Sequence, residues 1–172
     1  MTQDLNIYVA SLSDYNAGRL VGAWIECEGK DEEDLHAEIT AMLATSKEPI
    51  AEEWAIHDHE GFGSLDIGEY TPMSEVAEMC ELVEEHEDVA MAAASWLIGL
   101  DEIREACEDK YHGCFDSLEN WAYDLCQDMG YMDELPSLIE CHIDFESIAR
   151  NLTMSDYHAV RMDGNYYIFS NC

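Results

Sequence analysis

The sequence predicts an α+β protein laid out as an elongated chain of three small subdomains, and three observations carry that prediction. Strand-like segments occupy much of the first third of the chain. From Tyr70-Thr-Pro-Met-Ser onward the apolar spacing changes from two to between three and four. Near the end, two strand-like runs flank Asp163-Gly164. The expected division is an antiparallel sheet with one helix over residues 1–62, a helical unit over 63–112, and helices plus a β-hairpin, the dimerisation subdomain, over 113–172.

Leu5 to Ser11 and Gly22 to Cys27 read as strands separated by a Tyr-Asn-Ala-Gly loop. Asp31 to Thr45 reads as a helix. Four acids in its first turn suit the positive end of the helix dipole, and Leu35, Ile39, Met42 and Leu43 make its buried face. A third strand is expected over Glu53 to His57. Past the Gly61-Phe-Gly-Ser turn, Val76, Met79, Cys80 and Val83 share one helical face. Val89, Ala93, Trp96, Leu97 and Leu100 share another, with the exposed run Glu84-Glu85-His86-Glu87-Asp88 between them.

Tyr111 to Phe115 is a short strand candidate, and Ser117 is placed to cap the next helix. That helix carries Trp121, Ala122, Leu125 and Met129 as its apolar stripe and ends at Gly130. Leu135-Pro136 restarts helical structure. Tyr157 to Met162 and Asn165 to Ser170 then form a hairpin around Asp163-Gly164, a dipeptide whose backbone freedom suits a tight turn between twisted strands.

Charge sets the function class. The 172 residues hold 39 acids against 7 bases, a formal charge of -32, while 48% of residues are apolar, so the chain folds and still carries a large negative field. That field excludes binding to nucleic-acid phosphates or to an anionic membrane surface. Its partners are expected to be basic. The acids are spread along the chain rather than gathered in a tail, with Asp31-Glu32-Glu33-Asp34 the longest run, which favours a structured charged surface. Between Glu119 and Leu152 eight carboxylates face one Arg, Arg150.

Seven cysteines at 27, 80, 107, 114, 126, 141 and 172 form no CxxC pair, and no leader or long apolar span is apparent, so a reduced cytoplasm is the expected compartment. Most are expected to be small buried hydrophobes. Asp58 to Glu69 partly fits a calcium loop through Asp58, Glu60, Gly63, Asp66 and Glu69. Phe62 brings no side-chain oxygen to the fifth position, however, and the preceding segment is strand-like. The groups Cys107, His112, Cys114 and His57, His59 lack the paired spacing of a zinc site. No nucleophile elbow, phosphate loop or HExxH is present, so nucleophilic, phosphoryl-transfer and zinc-hydrolase chemistry lack a local signature and no metal, cofactor or catalytic residue is assigned, while paired carboxylates for glycoside hydrolysis lose their diagnostic value in a chain this rich in acids.

A polyanion mimic accounts for these features. Duplex DNA carries one negative charge per ~1.7 Å of axis, so a charge of this size matches ~54 Å, or roughly 16 base pairs. A compact chain of this length is only about 40 Å across. The match improves if the chain is elongated, and a two-fold dimer would extend it to ~32 base pairs.

The residues also resemble the ArdA antirestriction family. The resemblance rests on Ile7-Tyr-Val-Ala-Ser-Leu, Tyr15-Asn, Leu20-Val-Gly-Ala-Trp, Trp54-Ala-Ile-His-Asp-His-Glu and Glu69-Tyr-Thr. It continues in Leu135-Pro-Ser-Leu, in His142-Ile-Asp-Phe-Glu-Ser-Ile-Ala-Arg-Asn-Leu and in Tyr166-Tyr-Ile-Phe. It implies a non-enzymatic, curved dimer whose carboxylates imitate B-form DNA and occupy the DNA-binding groove of type I restriction-modification enzymes.

The candidate partner-binding acids are Asp31, Glu32, Glu33, Asp34, Glu84, Glu85, Glu87 and Asp88, followed by Glu119, Asp124, Asp128, Asp133, Glu134, Glu140, Asp144 and Glu146. The expected dimer interface is Tyr157, Val160, Tyr166, Ile168 and Phe169, because a two-stranded hairpin carries more apolar surface there than one short helix layer can cover. The competing reading is an acid-rich globular protein of a salt-adapted organism, possibly with an enzymatic activity of its own.

Overall fold

A computed structural model describes residues 4–171 of the protein. The chain divides into two compact units, one running to Ile103 and one starting at Arg104, and the boundary expected near residue 62 falls inside the first. Among the described residues there are two three-stranded antiparallel sheets and eight α-helices, an α+β fold.

In the first unit β1 (Asn6–Ser11) lies between β2 (Gly22–Glu26) and β3 (Trp54–Glu60). As the central strand β1 buries Ile7, Val9 and Ala10 completely, with Ile7 opposite Ile25 and Val9 opposite Ile56. α2 (Glu32–Leu43) packs on β2 through Leu35, Ile39 and Met42, at the spacing expected for its apolar face. α3 (Met73–His86) lies against α2 and buries Met73, Val76, Met79, Cys80 and Leu82. Gly61 allows the chain to leave β3: its φ is +87°, and a Cβ there would stand 2.6 Å from the Asp4 carbonyl oxygen.

Two local departures from expectation have clear causes. The segment read as a loop after β1 contains α1 (Leu12–Asn16), a helix too short to show periodicity. It is capped by Ser11, whose Oγ accepts the Asp14 N–H at 3.3 Å. α4 (Asp88–Ala94) stops short of the apolar face expected to run on to Leu100. At its end the Ser95 hydroxyl donates to the Ala92 carbonyl at 2.7 Å, and helix resumes only at α5 (Leu100–Glu105), the helix within which the unit boundary falls. Ile98, in the intervening loop, is 94% exposed.

In the second unit a π-helical turn (Ala106–Lys110) leads into β4 (Tyr111–Phe115), α6 (Leu118–Asp128), the single turn α7 (Ser137–Glu140), α8 (Phe145–Thr153), β5 (Tyr157–Met162) and β6 (Asn165–Ser170). The sheet order is β4-β6-β5, so the hairpin gains a third strand. Asp163 and Gly164 both have positive φ, +49° and +88°, as a primed hairpin turn requires, and Met162 faces Asn165 across it. α6 packs on α8, and Trp121, Ala122, Met132, Phe145, Ala149 and Ile168 form the core beneath them. On the other side of β6, Tyr111 meets Tyr167 and Phe169 with ring centroids 6.5 and 5.5 Å apart.

Candidate functional site

Each acidic segment sits where a folded element holds it at the surface. Asp31 caps α2 by accepting the Asp34 N–H at 2.9 Å. Glu32, Glu33 and Asp34 then occupy the first turn, where unpaired N–H groups favour negative charge. Some fifty residues later the end of α3 brings a second acidic run to the same region. Glu84 accepts the Gly29 N–H at 2.7 Å, two residues before Asp31, so helix packing joins two groups that the sequence keeps apart. Between α3 and α4 stands Glu87, at φ +47° and ψ −125°, a backbone conformation that suits glycine.

In the second unit Ser117 caps α6 as expected, accepting the Asn120 N–H at 3.1 Å. Trp121 and Ala122 anchor the inner face, while Glu119, Asp124 and Asp128 are exposed on the outer one. Met129, expected on the apolar stripe, is instead 54% exposed at the helix C-cap, where the chain turns at Gly130 with φ +72°. Asp144 caps α8. Its carboxylate accepts the Ser147 hydroxyl at 2.7 Å and the Ser147 N–H at 2.9 Å, and these bonds hold its pKa below the usual carboxylate range. Glu146 pairs with Arg150 at 3.3 Å one turn along.

All sixteen candidate acids are therefore exposed apart from Glu140, which is half-buried; eight precede Ile103 and eight follow it. Few can be neutralised from within, because 7 Lys and Arg face 39 acids. Several of those bases are committed: Arg19 to Asp14 and Glu48, Lys30 to Glu38, Lys110 to Glu105 at 2.9 Å.

For the dimer candidates the burial differs from expectation. Ile168 and Phe169 have no accessible surface in the single chain, because β6 is the central strand and is covered on both faces. Tyr157, Val160 and Tyr166 are half-buried, and Tyr157 and Tyr166 pack against the core of this unit.

Cys27, Cys80 and Cys107 are buried, Cys126 is half-buried, and Cys114 and Cys141 are exposed; Cys172 lies outside the described residues. A hydrogen bond with Cys27, together with burial, pushes the Cys80 thiol up, and burial pushes Cys107 up to about 11, so both remain thiols at neutral pH. Among the described residues no group of three or more His, Cys, Asp or Glu is arranged to hold a metal ion. Phe62, at the fifth position of the Asp58 to Glu69 segment, is fully buried. Asp58 and Glu69, absent from the acidic candidates, flank a recess of about 550 Å³ in the first unit. Their signal in the sequence was their place in two of the segments that carry the family resemblance.

Residues 7–166 match the family model described as antirestriction protein (ArdA). The chain belongs to the ArdA antirestriction family. No curated protein matches it. As an ArdA protein it falls among antirestriction inhibitors, which are in general not enzymes. Among its described residues no helix is long and apolar enough to cross a membrane.

Proposed function

We propose that this ArdA protein inhibits type I restriction-modification enzymes by presenting a fixed polyanionic surface that competes with DNA for their basic groove, acting as a homodimer in the cytoplasm. The observation that carries this reading is the combination of exposed carboxylates with anchored elements: α2, α3, α6 and α8 each bury an apolar face while holding acids outward. A disordered acidic tail would lose conformational entropy on binding, whereas charges set on packed helices are already in place. The family match supports the antirestriction role, and the net charge of -32 supports a basic partner.

The mechanism follows from screening. Exposed ion pairs contribute only ~0.2–1 kcal/mol each, so tight binding requires many of them, and their sum falls as the Debye length shrinks from ~10 Å at 0.1 M salt to ~3 Å at 1 M. Inhibition of a purified type I enzyme should weaken progressively as sodium chloride is raised over a range in which the enzyme remains active on DNA. Inhibition that does not change with salt would sink the electrostatic reading.

A further inference from the structure

The recess flanked by Asp58 and Glu69 is built by a fault in strand pairing. Along β3, Asp58 faces Tyr8 and Ile56 faces Val9, so His57 is an extra residue, a β-bulge. A regular strand sends successive side chains to opposite faces, yet Ile56, His57, Asp58 and His59 all line this one cavity. The segment ending at Glu69 is tied to the strand by an Ile56 N–H bond to the Glu69 carbonyl at 2.9 Å, which brings Ile67 and Glu69 to the opposite wall. Tyr15, 58% exposed, stands at the rim with its ring edge-on to His57 at 5.3 Å. Its position on α1 is fixed from below, because the neighbouring Asp14 is fully buried and receives Ser11, Ser46 and Arg19.

The chemistry of this recess selects its occupant. Two carboxylates line it together with His57 and His59 and no Lys or Arg, which disfavours phosphates and other anions. Leu12, Ile56 and Ile67 supply an apolar floor for an aliphatic stem, and the exposed ring of Tyr15 supplies a face on which a flat cation can stack. A guanidinium meets all three conditions: it is planar, always charged and able to pair with a carboxylate through two N–H groups. An ammonium shares the charge and the stem but has neither the plane nor the paired N–H groups. We propose that this recess receives one arginine side chain of the basic partner, giving the otherwise diffuse acidic surface a single fixed docking point.

The proposal rests on the inhibitory reading for the partner's identity, but the recess can be tested without that partner. Full-length protein is titrated with N-acetyl-arginine methylamide while amide resonances are followed by NMR, with the lysine and norleucine analogues as controls. The arginine probe should shift Tyr15, residues 56–59 and Glu69 saturably in the millimolar range, more strongly than lysine, with no effect from norleucine. Asp58→Asn with Glu69→Gln should abolish saturation, and Tyr15→Leu should remove the preference for arginine over lysine. The Asp58→Asn, Glu69→Gln variant should also inhibit a type I enzyme about tenfold less well, more than a control that neutralises Glu119 and Asp128. Shifts spread evenly over the acidic surface, or equal shifts from arginine and lysine, would overturn the proposal. Inhibition without saturation overturns the recess and leaves the mimic reading standing; saturation without inhibition does the reverse. If the double variant misfolds, the mapped and arginine-selective titration of the wild-type protein still decides.

Discussion

Asp14 shows how a chain this acidic can afford a buried carboxylate. It has no accessible surface, and its oxygens take the Ser46 and Ser11 hydroxyls and the Arg19 Nε at 3.3 Å. Arg19, itself 45% exposed, forms the lid over it and also reaches Glu48. The bond from Ser46 is the main reason its pKa lies below the usual value, with Ser11 and Arg19 adding to it against the opposing effect of burial. A pKa lower in the folded state than in the unfolded one gives stability that is present above the unfolded value near ~3.9 and is lost as pH falls through the folded value. Asp14→Asn should therefore lower Tm at pH 7, with the difference from wild type narrowing as pH is taken below the unfolded value; a constant difference in thermal melts would mean the charge plays no part. Glu87 presents the opposite case, a surface acid in a backbone conformation that costs a non-glycine residue roughly 1–3 kcal/mol. Glu87→Gly should raise stability by about 1 kcal/mol, or ~2–4 °C in Tm, after the larger unfolded-state entropy of glycine is offset. A fall in Tm would show that no strain is stored there.

At the scale of elements, α6 separates folding from function by face. Its inner residues Trp121 and Ala122 belong to the core of the second unit, and truncating the fully buried Trp121 to Ala would cost about 3–5 kcal/mol. Its outer residues Glu119, Asp124 and Asp128 make no comparable packing contribution, so neutralising them should leave the fold intact and affect only the interaction. The triple change to amides should weaken inhibition by about three- to thirtyfold, well beyond any one of the three single changes, because many small screened contacts add. Equal loss from one single change and from the triple would point to a lone docking acid on this helix instead. The acids at the two capping positions are different. Asp31 and Asp144 bond backbone N–H groups of their own helices, and replacing them would lower stability together with charge.

At the scale of the whole molecule, the charge of -32 acts on the fold and on the proposed interaction in opposite directions. Self-repulsion disfavours the compact state, so added salt should raise Tm over the same range in which inhibition falls. A Tm that falls with salt would contradict a fold limited by its own charge. For the proposed dimer, the burial of Ile168 and Phe169 makes them unsuitable targets, since changing them would break the core before it tested association. Val160→Asp, at a half-buried position of the edge strand β5 outside the Trp121 core, is the better target. Light scattering at micromolar concentration should give twice the 19.5 kDa chain mass for wild type and the single mass for this folded variant. A wild-type monomer, or a variant that stays dimeric, would place the contact elsewhere.

The sequence by itself determined the features that depend on neighbours along the chain. The hairpin at Asp163-Gly164, the Ser117 cap, the end of α6 at Gly130 and the buried face of α2 all follow from local backbone preference and periodicity. Charge was equally legible, because acids that cannot be buried unpaired must lie outside, and nearly all the candidates do. Only tertiary structure could decide what depends on contacts between distant segments. The third strand beside β6 turns Ile168 and Phe169 from surface into core, and the packing of α3 on α2 brings Glu84 to Gly29. The bulge at His57 turns a polar strand sequence into the wall of a recess. Each of these depends on which strand or helix becomes a neighbour, and no spacing along a single segment carries that information.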